Sequence, residues 1–243
     1  MTDAELAHGL AEEAGKLLLR LREGHDGGKA LGDEGDRAAN RLILDRLRIE
    51  RPDDAILSEE EKDNPARCGF SRAWVIDPLD GTREYSEGRN DWAVHVALAV
   101  DGRPVAGAVA LPGLGLTLAS DRPPALVAEA APLRMLVSRT RPAPEALAVA
   151  ERLGATLVPM GSAGAKAMAV LRGEADIYLH TGGQYEWDNC APAAVAMAAG
   201  LHVSRVDGSE LVYNCADPWL PDLLICHRHR AADILGLVAG MKA

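Results

Sequence analysis

Aromatic residues are scarce in this chain of 243 residues: phenylalanine occurs once, and aromatic side chains make up 4% of the total. The core must therefore be built mainly from leucine, valine and alanine. Positive charge is also in deficit, with 26 Lys and Arg against 36 Asp and Glu and a net charge of −10. This balance argues against a basic face for nucleic acid, and an anionic ligand would need a local source of positive charge.

Closely spaced cysteines and long apolar runs are absent as well. The four cysteines, at 68, 190, 215 and 226, form no CxxC motif, so we expect reduced thiols. No uninterrupted apolar stretch approaches roughly 18 residues, and the first residues lack the basic-then-apolar order of a signal peptide. We therefore expect no membrane span and a cytoplasmic location.

The first half of the chain shows helical periodicity and then strand patterns. Thr2 and Glu5 have the spacing of a capping box, and apolar residues recur every three or four positions after them, which predicts a helix ending at Gly24. The stretch 29–36 is predicted to be a loop before a second amphipathic helix, which stops before Pro52. Strands are predicted at 55–57, 73–77, 94–100 (half-buried, because its side chains alternate) and 104–111, with a hairpin turn at Asp101-Gly102.

The second half alternates between strand and helix patterns, which is typical of a layered α/β arrangement. The predicted strands are 133–137, 155–160, 175–180, 201–206 and 222–227. The predicted helices are 144–153, 164–172, 189–199 and one at the end of the chain. We therefore predict two sub-domains: residues 1–124, a helix pair with an antiparallel sheet, and residues 125–243, an α/β unit.

Two aspartates, Asp77 and Asp80, follow the apolar run Trp74-Val75-Ile76 in the hexapeptide DPLDGT. A plain turn explains this arrangement as well as a metal site does, since Asp-Gly is a common turn signal. An EF-hand is excluded because Leu79 occupies a position that needs an oxygen ligand. A covalent aspartyl-phosphate is excluded because Pro78 stands where the nucleophilic aspartate would be.

A metal site here would use hard oxygen donors. Asp77 and Asp80 can turn toward one point, and the Leu79 carbonyl can add a third oxygen, a set that suits Mg²⁺ or Mn²⁺. If a helix begins near Thr82, the amides of Gly81 and Thr82 would point at the same place and favour an anion. A metal beside an anion site indicates phosphate chemistry.

Further acidic residues stand at predicted ends of strands and helices. Glu59 follows strand 55–57, Asp188 precedes an alanine-rich helix, and Asp33 and Asp36 lie at the predicted start of the second helix. Taken singly, each is better explained as a solvated turn or a helix cap. Their joint occurrence with DPLDGT favours a metal site.

Three of these stretches resemble the inositol monophosphatase superfamily of Mg²⁺-dependent, lithium-sensitive phosphatases: Glu59-Glu60, the hexapeptide 77–82, and Trp187-Asp188. They occur in the family's order, and the resemblance covers essentially the whole chain. Arg83-Glu84-Tyr85 after the hexapeptide, together with GSAGAKAMAV at 161–170, is similar to the 3′(2′),5′-bisphosphate nucleotidase branch, the CysQ type, in its actinobacterial form. The implied fold is the layered αβαβα arrangement of sugar phosphatases.

The resemblance also implies roles for individual residues. The implied metal ligands are Glu59, Asp77 and the Leu79 carbonyl for a first Mg²⁺, Asp77, Asp80 and Asp188 for a second, and Glu59 for a weaker third. Thr82 and Asp36 would orient and deprotonate the attacking water, although Asp33 stands where the family usually has threonine. The implied substrate contacts are Glu59, Leu79, Asp80, Gly81, Thr82, Ser162, Lys166 and Asp188. An ordinary surface lysine explains Lys166 equally well.

The function expected from this resemblance is hydrolysis of the 3′-phosphate of 3′-phosphoadenosine 5′-phosphate, or of its sulfated form, to AMP and phosphate in sulfate assimilation. Mn²⁺ would substitute for Mg²⁺, and the enzyme would be a homodimer. One alternative is the same chemistry on inositol monophosphate or fructose 1,6-bisphosphate. Another is a non-catalytic protein that binds metal or nucleotide. Cys190, near Asp188, is interpreted as a packed helix residue.

Overall fold

The computed structural model describes residues 1–25 and 27–241. Within these ranges the helices are α1 (Asp3–Glu23), α2 (Gly28–Glu50), α3 (Thr82–Ser86), α4 (Pro144–Leu153), α5 (Ala163–Leu171), α6 (Glu186–Ala198) and α7 (Ala231–Ala239). The strands are β1 (Ala55–Ser58), β2 (Arg72–Asp80), β3 (Ala93–Val100), β4 (Arg103–Leu111), β5 (Leu116–Ala119), β6 (Arg134–Ser138), β7 (Thr156–Met160), β8 (Ile177–His180), β9 (Gln184–Tyr185), β10 (His202–Ser204), β11 (Trp219–Leu220) and β12 (Leu223–Cys226). Three short 3₁₀ helices span Pro65–Gly69, Pro112–Leu114 and Arg228–Arg230.

The strands form two large sheets and one small ribbon. The first sheet has the order β1-β2-β3-β4-β5 and is antiparallel apart from β1 and β2, which run parallel. The second has the order β10-β12-β8-β6-β7, in which β6 runs parallel to both β7 and β8. Strands β9 and β11 pair separately. The segment 120–133 connects the two large sheets, and the division into sub-domains 1–124 and 125–243 stays a prediction.

Helices cover both sheets, so five layers alternate. Helices α1 and α2 pack on the outer face of the first sheet, α5 and α6 lie between the sheets, and α4 and α7 cover the second. The predicted αβαβα arrangement is confirmed. Small side chains allow this stacking with few aromatics: a Cβ added to Gly107 of β4 would lie 2.7 Å from the Cβ of Ala194 on α6. Sheet and helix therefore approach more closely than larger side chains permit.

Helix α2 begins at Gly28, so the predicted loop at 29–36 is wrong. Two glycines that suggest a loop in the sequence lie inside this helix instead, at places where other elements approach it closely. A Cβ on Gly32 would lie 2.7 Å from Thr82 Cγ2, and one on Gly35 would lie 3.1 Å from both Leu79 and Tyr85. Helix α2 therefore lies directly against DPLDGT and the short helix that follows it.

Other boundaries differ less from prediction. Strand β3 is buried on both faces rather than half-buried, because α1 covers one face and the central helices cover the other. Helix α6 starts at Glu186, so Asp188 lies in its first turn rather than at the cap. Cys190 is buried, and burial raises its thiol pKa, as expected for a packed residue. None of the helices in the described ranges is long and apolar enough to cross a membrane.

Candidate active site

The end of β2 departs from regular strand pairing at DPLDGT. Asp77 pairs with His95 of β3 and Asp80 with Ala93, and the register shifts between these two pairs. Pro78 carries no N–H and cannot donate to the ladder. The Leu79 carbonyl accepts a hydrogen bond from Thr82 Oγ1 at 3.1 Å instead. The end of the strand therefore carries two carboxylates and a carbonyl oxygen that accepts from Thr82, and their use together as metal ligands stays a prediction.

Gly81 turns the chain from β2 into α3. Its φ of +87° is in the left-handed region, which favours glycine, and a Cβ there would lie 3.1 Å from Ser162 Cβ. Helix α3 has only five residues, Thr82–Ser86. The turn carries Thr82 toward α2 and leaves the backbone of Gly81 beside Ser162.

Three aspartates from two parts of the chain meet at this place. One carboxylate oxygen each from Asp77, Asp80 and Asp188 can be chosen so that all three lie within 4.8 Å of one another. Asp77 and Asp80 are buried, and Asp188 is half-buried at the start of α6. Asp188 Oδ2 also accepts a hydrogen bond from the Tyr185 amide at 2.6 Å, which completes the helix cap. Carboxylates this close together are a donor set for a hard divalent cation.

Glu59, the residue after β1, lies at the exposed side of the cluster. Its amide donates to the Ile76 carbonyl at 3.2 Å, which places its side chain beside Asp77. Loss of hydration, together with the charge of Asp188, raises the pKa of Glu59 to about 7. Burial and the Glu59 charge raise the pKa of Asp77 well above its usual value. Each carboxyl group therefore favours the protonated state of the other, and a divalent cation bound between them would remove that repulsion.

Asp80 behaves in the opposite way, although it is equally enclosed. Burial raises its pKa, but the positive charge of His95 and hydrogen bonds from Ser162 and Gly164 outweigh that effect and lower it to about 2. The Gly164 amide donates at 2.6 Å and the Ala163 amide at 3.1 Å. Asp80 is therefore ionised without needing a metal.

His95 supplies the charge that faces Asp80. Its Nε2 lies 3.2 Å from Asp80 Oδ2, and its Nδ1 donates to the Trp187 carbonyl at 2.9 Å. Burial lowers the pKa of His95, but Asp80 raises it more, so the pKa is raised overall. An imidazolium fits this arrangement: Nδ1 donates a hydrogen bond, while Nε2 meets Asp80 as a close ion pair without hydrogen-bond geometry. A Cβ on Gly164 would lie 2.0 Å from Nε2, so that helix position must be glycine.

Ser162 and Lys166 hold the turn at the start of α5. Ser162 donates its hydroxyl to Asp80 and accepts from the Ala165 amide at 3.0 Å, so it is the helix cap. Lys166 is buried and donates to the carbonyls of Gly161 at 3.0 Å and Ser162 at 2.6 Å. Burial lowers the pKa of Lys166. The surface-lysine interpretation is wrong: this side chain fixes the turn that positions Ser162.

Asp36 and Thr82 lie together, as the sequence led us to expect, although Asp36 is inside α2 rather than at its start. Thr82 Oγ1 is 3.4 Å from Asp36 Oδ1. Burial, then the charges of Glu60 and Glu59, raises the pKa of Asp36 to about 8. Asp33 is also inside α2, and it pairs with Lys29 at 2.6 Å on the exposed surface. Asp33 is therefore not brought into the cluster.

A basic cavity adjoins the acidic cluster through Ser162. It has a volume of about 490 Å³. The residues that line it are Arg83, Glu84, Ser138, Arg139, Thr140, Arg141, Gly161, Ser162 and Lys166. Arg139 pairs with Glu84 at 2.6 Å and with Glu87 at 2.7 Å, and Arg141 is exposed at the edge. Arg83 also pairs with Glu87 at 2.8 Å, so Glu84 and Glu87 balance part of the positive charge of this cavity.

Residues 3–234 match the model of the inositol monophosphatase family. The chain belongs to the inositol monophosphatase family. It is 52% identical to the 3′-phosphoadenosine 5′-phosphate phosphatase of Mycobacterium leprae, over 98% of this chain and 94% of that protein. It is 31% identical to the 3′(2′),5′-bisphosphate nucleotidase CysQ of Salmonella typhimurium, over 87% of this chain and 94% of that protein.

Solved structures of the family share the fold. The crystal structure of CysQ from Bacteroides thetaiotaomicron superposes with a TM-score of 0.80 at 25% identity, covering 93% of this chain and 97% of that one. An inositol monophosphate-bound inositol monophosphatase, SaIMPase-II, superposes with a TM-score of 0.79 at 19% identity, over 98% and 95%. The second comparison supports the fold alone.

Sequence reasoning did not single out three residues that lie beside the acidic cluster or line the cavity next to it: His95, Arg139 and Arg141. His95 stands alone in the apolar strand AVHVALAV, and a histidine within such a strand was the available signal. The two arginines follow β6 in SRTR, at the end of a strand where ligand-binding loops concentrate in α/β folds. Placing the arginines beside Glu84 and Ser162 requires knowing how the second sheet packs on the first.

Proposed function

We propose that this chain is a phosphatase that removes the 3′-phosphate of 3′-phosphoadenosine 5′-phosphate to give AMP and phosphate, in sulfate assimilation. The observation that carries the proposal is the arginine-lined cavity next to the acidic cluster, with Ser162 between them. A substrate with two phosphates can place one at the cluster and the other among Arg83, Arg139 and Arg141. Inositol monophosphate has no second phosphate for this cavity.

The names of the similar proteins point to the same substrate. The relatives at 52% identity are 3′-phosphoadenosine 5′-phosphate phosphatases, and those near 30% are 3′(2′),5′-bisphosphate nucleotidases. Fructose 1,6-bisphosphate also carries two phosphates, so the cavity alone does not separate it from the nucleotide. The relatives favour the nucleotide.

The donor set fits Mg²⁺, with Mn²⁺ as a substitute, at two to three positions. Glu59, Asp77 and the Leu79 carbonyl would hold one ion, Asp77, Asp80 and Asp188 a second, and Glu59 a weaker third. All of these donors are oxygens, and Mg²⁺ is the divalent cation that prefers such a set. Bound ions would lower the pKa of a water molecule and neutralise charge on the phosphoryl group.

Thr82 and Asp36 would handle the proton of the attacking water. The Thr82 hydroxyl has one proton, which it can donate to Asp36 Oδ1 or to the Leu79 carbonyl. When Asp36 is ionised, Thr82 can donate to it and accept from water with its own lone pair. Neutralising Glu59 would remove one cause of the raised pKa of Asp36 and so favour that ionised form.

The remaining residues would bind and orient the substrate. Ser162 and Gly81 face the junction between cluster and cavity, and Lys166 holds the turn that carries Ser162. His95 keeps Asp80 ionised and in place. Positioning of the phosphoryl group and charge neutralisation then account for the rate, without a covalent enzyme intermediate.

The experiment that tests this proposal is a substrate panel with saturating Mg²⁺, followed by phosphate release. We expect kcat/KM to be highest for 3′-phosphoadenosine 5′-phosphate, above inositol 1-phosphate and fructose 1,6-bisphosphate. A preference for inositol phosphate of more than about tenfold, a difference of 1.4 kcal/mol in transition-state stabilisation, would overturn it. No turnover of any substrate would support the non-catalytic alternative. The homodimer, the cytoplasmic location and inhibition by Li⁺ stay predictions.

A further inference from the structure

A second cluster of metal-binding side chains lies away from the active site. One ligand atom each from Glu129, His227 and His229 can be chosen so that all three lie within 4.8 Å of one another. Glu129 belongs to segment 120–133, which connects the two large sheets. The histidines flank Arg228 directly after β12. Two distant parts of the chain therefore converge here, and neither takes part in the phosphatase site.

The geometry within this cluster is close to that of a metal site. His229 Nε2 lies 3.0 Å from Glu129 Oε2, and the two imidazole rings have centroids 5.9 Å apart. Arg230 Nε donates to the same carboxylate, at 2.9 Å to Oε2 and 3.2 Å to Oε1. The Glu129 side chain is 11% exposed and that of His229 is 64% exposed. The carboxylate is thus fixed by Arg230 while an imidazole stands open to solvent.

We propose that Glu129, His227 and His229 form a binding site for one Zn²⁺ ion, with water as the fourth ligand. Two imidazoles and one carboxylate are a donor set typical of zinc and poorly suited to Mg²⁺, which prefers oxygen ligands alone. Arg230 acts as the outer partner that orients the ligating carboxylate. The chain therefore has two cation sites of different selectivity, one all-oxygen and one rich in nitrogen.

Occupancy of this site would fasten segment 120–133 to the end of β12 in the second sheet. Glu129 comes from that segment, and the two histidines come from the end of β12, which lies between β10 and β8. Zinc binding would therefore raise the melting temperature, because an ion that binds only the folded chain stabilises it by mass action. Without zinc, Glu129 is held by its ion pair with Arg230 and its contact with His229.

The test measures Zn²⁺ binding to chelator-treated full-length protein in excess Mg²⁺, by equilibrium dialysis and metal analysis, with Co²⁺ absorption as a report on nitrogen ligation. The buffer is slightly alkaline, because protons compete with metal for nitrogen ligands. We expect His227→Ala and His229→Ala each to bind one Zn²⁺ fewer, or to bind it at least about tenfold more weakly, the loss that removing even an outer-shell partner can cause. Glu129→Gln should weaken binding in the same way.

The matched control is His8→Ala, a partly exposed histidine on α1, which should bind zinc as the unchanged chain does. Retained Mg²⁺-dependent phosphatase activity shows that each variant is folded, since none of these residues belongs to the active site. Equal zinc stoichiometry and affinity in the wild type, His229→Ala and His8→Ala would overturn the proposal and leave only the contacts of Glu129 with Arg230 and His229. A zinc-dependent rise in melting temperature that is lost in His229→Ala and kept in His8→Ala would support it.

Discussion

The two sides of the acidic cluster hold their carboxylates by opposite means. On one side, Asp80 is surrounded by donors from α5 and β3 and is ionised at all ordinary pH values. On the other, Asp77 lies against Glu59, and both retain protons until well above their usual pKa. The contrast shows that burial does not by itself set the state of an acid. The neighbours decide it: positive charge and N–H groups in one case, further carboxylates in the other.

The largest expected effects come from replacing Asp77 and Asp80, one at a time, by neutral asparagine. Asp77→Asn and Asp80→Asn should both abolish turnover, because each removes a proposed metal ligand. Their effects on stability should differ in sign without metal. Asp77→Asn relieves repulsion and raises the melting temperature, whereas Asp80→Asn leaves His95 buried beside an amide and costs about 3 kcal/mol. Thermal melts with a chelator measure this, and shifts in the same direction would contradict it.

The second effect is the pH dependence of the metal-free protein. Asp36 and Glu59 have pKa values raised to about 8 and about 7. A carboxyl group with a raised pKa in the folded protein does not lower the free energy of unfolding at low pH, because it is protonated in both the folded and the unfolded protein. Its destabilising effect is largest at a pH above its folded pKa. Stability should therefore fall as the pH rises from about 4 to about 8, by on the order of 3 kcal/mol after allowance for solvent screening.

Chemical denaturation at several pH values, with chelator or with excess Mg²⁺, measures this dependence. Mg²⁺ should flatten the curve, because bound cations replace the protons. Asp36→Asn should be more stable than the wild type at pH 8, and its advantage should shrink toward pH 4. A metal-free protein that becomes more stable as the pH rises through this range would show that these carboxyl groups are not repelling one another.

The third prediction concerns the approach of α5 to His95. Gly164→Ala would place a Cβ 2.0 Å from His95 Nε2, so the imidazole or the helix must move. We expect a loss of about 1–3 kcal/mol in stability and a lower kcat, because His95 no longer faces Asp80. Gly9→Ala on α1 is the matched control: no atom lies within 4 Å of its added Cβ, so it should gain up to about 1 kcal/mol. Equal effects of the two variants would contradict the close packing.

The smallest expected effect is a change in KM when an arginine of the basic cavity is replaced. Arg141→Gln should raise KM for 3′-phosphoadenosine 5′-phosphate about tenfold, since a charge-assisted hydrogen bond is worth about 1.5–3 kcal/mol. Adenosine 3′-monophosphate has the same reacting phosphate and no second one, so its KM should hardly change. Steady-state kinetics on both nucleotides make the comparison. An equal rise in KM for both would place the second phosphate elsewhere.

The acidic cluster could be predicted from the sequence because its acidic residues stand next to recognisable strand and helix patterns. Asp77 and Asp80 end an apolar strand, Glu59 directly follows the strand beside it, and Asp188 precedes an alanine-rich helix pattern. The path of α2 could not be predicted in the same way, because Gly32 and Gly35 have the composition of a loop. Their real role, close contact with DPLDGT, exists only once α3 is folded against them.

The basic cavity and the ionised state of Asp80 could not be predicted from the sequence, for a different reason. Arg139 and Ser162 come from the second half of the chain, so their meeting with Glu84 and Asp80 depends on how one sheet stacks over the other. Local patterns carry no information on that stacking. Lys166 shows the same limit: its spacing fits a helix surface, but the helix is central, so its ammonium turns back to backbone carbonyls.

The cap of α6 offers a way to watch the cluster directly. Asp188 uses one carboxylate both to face Asp77 and Asp80 and to accept the Tyr185 amide. A change in the charge on that carboxylate must therefore alter the magnetic environment of one backbone proton. The Tyr185 cross-peak in a nitrogen–proton spectrum would then report cation arrival during a titration, with no substrate and no turnover.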